Sequence, residues 1–256
     1  MKRMEKTTNH FGVVVVVYGK GADCVLKNYP AIYEQLASKG VPIAIVDHGG
    51  HKYLPESFMR QGIVYLKQDN RGFGAGVNLG CKKVLESASH AIVLNPDLDF
   101  DVNELLRIGK RLLDSFAVLQ TQEHGKKQAI MYYSHLTGIA GDAPLLGGIP
   151  YFNGAAFSIS REAFNATSGF DENFFLYFED VDFSLKLAQK NIPIRIIETN
   201  SFVHEVGGSR TKGMSGFIQR AAAISALRLV WKWFPWNIWL YLRYGIKWLL
   251  ADLRSH

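Results

Sequence analysis

The run GVVVVVYG, Gly12 to Gly19, sets five consecutive valines between glycines. A continuous β-branched segment closed by glycine reads as a strand covered on both faces. The pattern recurs. VPIAIVDHGG gives a second buried strand ending on Asp47, GIVYLKQ a third and HAIVLNPD a fourth. Helical stretches separate them, over about 27–39, from the glycine-rich DNRGFGAGVNLG through about 86, and over 103–115. Apolar strands alternating with helices predict an α/β fold with a mostly parallel sheet flanked by helices. Ligands of such sheets bind beyond the carboxyl ends of the strands. Asp47, Arg71, Asp97 and Asp99 all follow strand ends and are expected to meet in one crevice.

The second half is less regular. GIPYFNGAAFSISREAF reads as a strand and then a short helix, FLYFEDVDFSLKLAQK as a loop and then a helix, and IPIRIIE as a strand. VHEVGGSR reads as a glycine-rich loop. From Gly216 the chain reads as helix with one break at Pro235. A division at 1–215 and 216–256 follows.

With 48% hydrophobic and 20% charged residues, the 256-residue chain has the composition of a globular protein. Its net charge of +6 points to an anionic partner. The two cysteines, Cys24 and Cys81, form no CxxC pair and read as free thiols of a reducing compartment. The polar start, MKRMEKTTNHF, precedes an apolar run too short for a signal peptide, so secretion is not expected.

Four stretches carry candidate chemistry. In NPDLD, Pro96 ends the strand because it has no N–H to donate. In extended chain Asp97 and Asp99 share a side. One or two carboxylates plus substrate phosphates suit Mg²⁺ or Mn²⁺; an Asx turn or helix cap explains the same acids without a metal. In NRGFGAGVNLG, Gly72, Gly74 and Gly76 open a helix whose free N–H groups suit a phosphate, with Arg71 beside it. The G-x-G-x-x-G spacing is absent, and a tight strand-to-helix turn also accounts for the glycines. In FLYFEDVDF, the acids Glu179, Asp180 and Asp182 suit the first turn of a helix. Their position after Phe174, Phe175, Tyr177 and Phe178 points to a partly buried pocket, where a carboxylate can act as general base. His204 is the fourth candidate, at a strand end ahead of glycines; a lone histidine is more often structural than a metal ligand.

Taken in order, VVVVVYG, IVDHGG, DNRGFGAGVNLG, VLNPDLDF, FNGAAFSISREAF, GFDENFFLYFEDVDFSLKL and VHEVGGS resemble the family 2 glycosyltransferases of the GT-A fold, and among them bacterial rhamnosyltransferase-like enzymes. The resemblance spans about 13–209. It implies a Rossmann-like GT-A domain that transfers a sugar, rhamnose from dTDP-L-rhamnose foremost, from a nucleotide-sugar to a glycan or lipid-linked acceptor. A UDP-hexose or galactofuranose donor is the alternative. A catalytically silent nucleotide-sugar-binding or docking protein is the reading from another class.

Asp47 would then contact the base. Arg71, Gly72 and Gly74 would lie near ribose and diphosphate. Asn95-Pro96-Asp97 stands at the family's Asp-x-Asp, with Asp97 as metal ligand, Asp99 as a second candidate and His204 completing the site for Mg²⁺ or Mn²⁺. Gly154 would border sugar and acceptor. Asp180, beside Glu179, would be the base of an inverting displacement. Gly19 and His48 depart from the pattern, standing where such enzymes often carry asparagine.

All five tryptophans lie in the last 26 residues. Arg220, Arg228 and Lys232 share a helical face by spacing, as do Arg243 and Lys247. Only ten uncharged residues separate Lys232 from Arg243, too few to span a bilayer. Amphipathic helices of this kind predict peripheral contact with the cytoplasmic face of a membrane; packing on the protein's own core or on a dimer partner is the alternative. No nucleic-acid module is recognisable. Oligomeric state is left open.

Overall fold

The computed structural model describes residues 9–50, 63–204 and 216–253. The first half runs β1 (Asn9–Val17), α1 (Gly21–Asn28), α2 (Glu34–Ser38), β2 (Ile43–Asp47), β3 (Ile63–Lys67), α3 (Phe73–Val84) and β4 (Ala88–Leu94). Then follow β5 (Leu98–Asp99), α4 (Val102–Gly109), β6 (Phe116–Leu119), β7 (Thr121–Glu123), β8 (Lys126–Gln128), β9 (Ile130–Ser134), β10 (Ala140–Gly141), β11 (Gly148–Phe152) and β12 (Ala156–Ser160). The chain continues through α5 (Arg161–Thr167), α6 (Glu179–Gln189), β13 (Arg195–Ile197), β14 (Val203–His204), α7 (Gly216–Trp233) and α8 (Ile238–Leu253).

Seven strands form the main sheet in the order β13-β6-β12-β4-β1-β2-β3, with only β12 antiparallel to its neighbours. The five valines lie at its centre, and successive side chains point to opposite faces. Val13, Val15 and Val17 pack with Ala22, Val25 and Leu36 of α1 and α2 and with Leu105 of α4. Val14 and Val16 face the second core, which also holds Val77 and Cys81 of α3 and Phe183 and Leu187 of α6. Burying each valine contributes about 1.5–3 kcal/mol, and a polar residue anywhere in the run would face a core. Gly76 and Gly80 let α3 lie close: a Cβ on them would come within 2.6 Å of Val16 and 2.3 Å of Val14.

Three expectations change. The helix expected over 27–39 begins at Gly21 and is interrupted at Tyr29–Tyr33, around Pro30. The helix expected over 103–115 stops at Gly109. GIPYFNGAAFSIS is two strands in different sheets, β11 beside β9 and β12 in the main sheet. The asparagine-glycine loop between them thereby enters the crevice.

A smaller sheet, β5-β14-β7-β8, lies apart from the main one. Its hairpin β7–β8 turns on His124 and Gly125, both at positive φ (48° and 77°), as a two-residue turn matched to strand twist requires. A third core sits under the C-terminal helices, where Leu229, Val230, Phe234, Leu240 and Tyr244 pack with Tyr133, Tyr151 and Phe174. Asn237 fixes their turn. Its side chain caps the Leu240 N–H at 3.3 Å and donates to the His135 carbonyl at 2.7 Å.

Candidate active site

β2 and β3 lie to one side of β1 and β4 to the other, all parallel. The loops after β1 and β4 therefore diverge and leave a crevice. Asn95-Pro96-Asp97 enters it from β4. The Asn95 N–H donates to the Ala155 carbonyl at 2.9 Å, which sets this turn beside Asn153-Gly154-Ala155. A Cβ on Gly154 would meet only Phe73 Cε1, at 4.0 Å, so Gly154 borders open space.

His204 joins these loops to the small sheet. Its Nε2 lies 3.1 Å from Asp97 Oδ1 and its Nδ1 2.8 Å from Glu123 Oε1. Asn153 Nδ2 donates to the same Glu123 oxygen at 2.9 Å, and Asn95 Nδ2 lies 3.3 Å from His204 Nε2. Burial alone would lower the histidine pKa, but hydrogen bonds and charge from Asp97 and Glu123 outweigh it and push it up to about 9. The ring is held between two carboxylates.

The same geometry suits a divalent cation. A carboxylate oxygen and an imidazole nitrogen 3.1 Å apart can both reach one ion at bonds of about 2.0–2.2 Å. Glu123 behind Nδ1 is the outer carboxylate that commonly orients a ligating histidine. Among the described residues no three His, Cys, Asp or Glu side chains are arranged to hold a metal. Asp97 and His204 would therefore supply two ligands and a bound diphosphate further oxygens. Asp99 does not join them. In the β5–β14 pair Leu98 faces His204, and Asp99 faces the exposed Val203 on the other side. Asp101 is the cap of α4, accepting from the Asn103 N–H at 2.8 Å. The remaining residues of VHEVGGS, 205–209, lie outside the described residues.

On the expected donor side, Asp47 ends β2 buried, with Oδ1 accepting from the Gly49 N–H at 2.7 Å and Oδ2 from the Tyr65 hydroxyl. His48 is buried against Gly76, where a Cβ would come within 2.8 Å of its ring. Arg71, 60% exposed, pairs with Glu172 at 3.1 Å. Such a pair contributes little, so it is readily exchanged for a phosphate. Asn78 of α3 clamps the Glu172 segment, donating to the Phe170 carbonyl at 2.9 Å and accepting its N–H at 2.8 Å. Gly72 sits at φ 96°, and a Cβ there would lie 2.3 Å from the Phe175 carbonyl oxygen. Gly74 lies beneath Phe170, where a Cβ would come within 2.9 Å of its side chain. At both positions the absent side chain makes room for protein.

Tyr177 and Phe178 adopt φ of 62° and 67°, which costs aromatic residues about 1–3 kcal/mol each. The Phe178 ring is held edge-on to Tyr133 and Tyr244, with centroids 5.7 and 6.0 Å away. This turn sets Glu179 and Asp180 at the start of α6. Asp180 Oδ1 accepts from the Val181 N–H at 2.8 Å, yet burial pushes the carboxyl up to about 6. Burial and the neighbouring Asp180 push Glu179 up to about 8. Asp180 lines two spaces. One is a pocket of about 80 Å³ shared with Glu123, Asn153 and Tyr151. The other is a cavity of about 710 Å³ beneath α7 and α8. Glu179 lines neither. The third acid turns away: Asp182 is fully buried, bonded to Lys232 at 2.8 Å and to Trp233 Nε1 at 2.7 Å.

That contact belongs to the packing of one basic face of the tail. Lys232 also pairs with Asp171, and Arg228 donates to the Asn173 carbonyl, so this basic face grips the body of the protein. Trp231, Trp236, Ile238 and Trp239 are each more than 70% exposed. Among the described residues no helix is long and apolar enough to cross a membrane.

Glu123 and Tyr151, both at the site or its cavity, do not stand out in the sequence. The HisGly turn marks the hairpin that carries Glu123, but nothing local says that it meets a histidine 81 residues on.

The architecture matches known proteins at low identity. A mannosyltransferase from Pyrobaculum calidifontis, solved with GDP-mannose and Mn²⁺, superposes with a TM-score of 0.58 at 12% identity, over 99% of this chain and 77% of that one. Residues 1–349 of TarS from S. aureus, solved with UDP-GlcNAc, give 0.54 at 14% identity, over 94% and 79%. The fold is that of the GT-A nucleotide-sugar transferases. By sequence, the low-salt glycan biosynthesis hexosyltransferase Agl10 of Haloferax volcanii is 22% identical over 233 residues, 84% of this chain and 74% of that protein. No protein-family model matches the chain.

Proposed function

We propose that this GT-A chain is an inverting glycosyltransferase in which Asp180 is the base and Asp97 and His204 are the metal ligands. The carrying observation is the placement of Asp180 between the Glu123–Asn153 pocket and the large cavity. Donor and acceptor can approach it from these two spaces. The acceptor hydroxyl oxygen bonds to the anomeric carbon, and its proton passes to an Asp180 oxygen. The bond from that carbon to the diphosphate oxygen breaks, and the nucleoside diphosphate leaves with the electron pair. A carboxyl near pKa 6 is ionised at neutral pH and basic enough to take a proton that acidifies as the bond forms. Arg71 gives up Glu172 for the diphosphate. A divalent cation, when bound by Asp97 and His204, would neutralise charge on the leaving group.

For the donor, the sequence resemblance supports dTDP-L-rhamnose. The hexosyltransferase name of the archaeal relative and the UDP-GlcNAc bound to TarS favour a UDP-hexose as a second reading. The exposed tryptophans of the C-terminal helices support a peripheral position on the cytoplasmic face of a membrane, with a glycan or lipid-linked acceptor. The test compares two variants. Asp180→Asn is expected to bind nucleotide-sugar normally and to lose transfer, whereas Asp97→Ala loses the Mn²⁺-dependent part of binding. Normal turnover by Asp180→Asn refutes the assignment.

A further inference from the structure

The segment 171–182 runs from Glu172, the partner of Arg71, to the two acids that open α6. Its middle is poorly fixed from within: among the described residues Phe175, Leu176 and Tyr177 make no backbone–backbone hydrogen bond. The turn that follows, at Tyr177 and Phe178, lies at positive φ. Strained backbone of this kind persists only where its surroundings over-determine it. Here the C-terminal helices supply those surroundings. One ammonium, Lys232 of α7, takes Asp171 Oδ2 at the start of the segment and Asp182 Oδ1 at its end, each at 2.8 Å. It lies 5.8 Å from the centre of the Phe174 ring. Arg228, one turn earlier, donates to the Asn173 carbonyl. Phe217 meets Phe175 edge-on, with centroids 5.9 Å apart, and Tyr244 of α8 meets Phe178. Asp180 sits inside this bracket, two residues before Asp182.

Anchoring the tail explains these contacts only in part. Asp182 is fully buried, and its second oxygen finds no hydrogen-bond partner among the described residues. A buried ion pair left half-satisfied is a weak source of stability, because desolvation offsets the attraction, but it fixes one geometry. Lys186, the other cation that feels Asp182, donates to the Gly169 carbonyl instead. We propose that Lys232 is a positioning residue for sugar transfer: by tying together the two ends of the segment 171–182, it holds the strained turn that aims Asp180. The proposal rests on the transferase reading for the role of Asp180. It makes the C-terminal helices part of the catalytic body. A loosened turn would let Asp180 drift and let water reach its carboxylate, and misplacing a reacting group by about 1 Å can cost about 10²-fold in rate.

The test uses the full chain. Lys232→Met alone strands Asp182, so it is combined with Asp182→Asn, which removes both charges and leaves an amide oxygen for Trp233 Nε1. Asp180→Asn is then made in the natural and in the double-variant background, and all four proteins are melted at pH 8. In the natural background Asp180→Asn should raise Tm by relieving a buried charge. In the double-variant background at least half of that rise should vanish, because the loosened turn hydrates the carboxylate. Release of nucleoside diphosphate from dTDP-L-rhamnose and from UDP-glucose, with Mn²⁺ and with water as acceptor, is followed on the same samples. The double variant should keep KM within about twofold and lose at least about tenfold in kcat. An equal rise in both backgrounds, no rise in either, or an unchanged kcat overturns the proposal. No release by the natural protein with either donor would count against the transferase reading, and the four melting points would still decide whether Lys232 holds Asp180.

Discussion

Replacing Asp180 by asparagine should make the protein more stable and less active. Burial raises this carboxyl from 3.8 to about 6, so keeping it ionised in the fold costs up to about 3 kcal/mol. Asparagine keeps an oxygen for the Val181 N–H but places a neutral amide in the same partly dry site, which returns part of the gain. A net stabilisation of about 1–2 kcal/mol at pH 8 follows, or roughly 2–8 °C in Tm for a chain of this size. The sign depends on pH. A raised acid pKa means that the folded state holds its proton more tightly than the unfolded one. The natural protein is therefore undisturbed below about pH 4 and loses stability as pH rises through about 6. Asp180→Asn should melt at or slightly below the natural protein near pH 4, by the cost of the amide, and above it by pH 8, while transfer falls by about 10²–10⁴. A separation equal at both pH values would show that the carboxylate is not desolvated, and the proposed base would lose its physical ground.

Glu123→Gln should weaken Mn²⁺-dependent nucleotide binding by about 10–100-fold through His204, read by titrating Mn²⁺ at fixed nucleotide; unchanged Mn²⁺ affinity would remove Glu123 from the site. Gly72→Ala should destabilise the fold by about 2–4 kcal/mol in urea unfolding, because its Cβ would collide with the Phe175 carbonyl at a positive φ. Lys232→Met should cost about 3–5 kcal/mol by stranding the buried Asp182, and adding Asp182→Asn should restore part of it; a cost below about 1 kcal/mol would show that the pair does not hold the tail. Replacing both Trp236 and Trp239 with serine should reduce sedimentation with anionic vesicles while leaving Tm within about 2 °C, since both are more than 70% exposed; equal sedimentation would argue against membrane contact.

The first half of the fold was legible because its signals are local. A valine run at 0–8% exposure can only be a central strand, and Pro96 and the glycines mark where strands stop and helices begin. The second half hides its order in long-range pairing. GIPYF and AAFSIS look like one strand because the break between them is only Asn153 and Gly154, and only the two separate sheets tell them apart. At the candidate site the sequence named Asp97 and His204 but left Asp97 and Asp99 open, because residues two apart share a side only while the chain stays extended. The turn before β5 puts one on each side. Glu123 escaped notice because a lone acid in a hairpin carries no pattern. The tail misled for a related reason. Spacing groups Arg228 with Lys232 on one face, but only Asp171 and Asp182 decide that this face turns inward.

The most direct test is a thermal-shift panel of dTDP, UDP and GDP and their sugars on the full chain, with and without Mn²⁺. A ligand that binds only the native state raises the melting point by mass action. The account predicts a Mn²⁺-dependent rise with at least one nucleotide-sugar, lost in Asp97→Ala and kept in Asp180→Asn. No rise with any nucleotide, with or without metal, would contradict it.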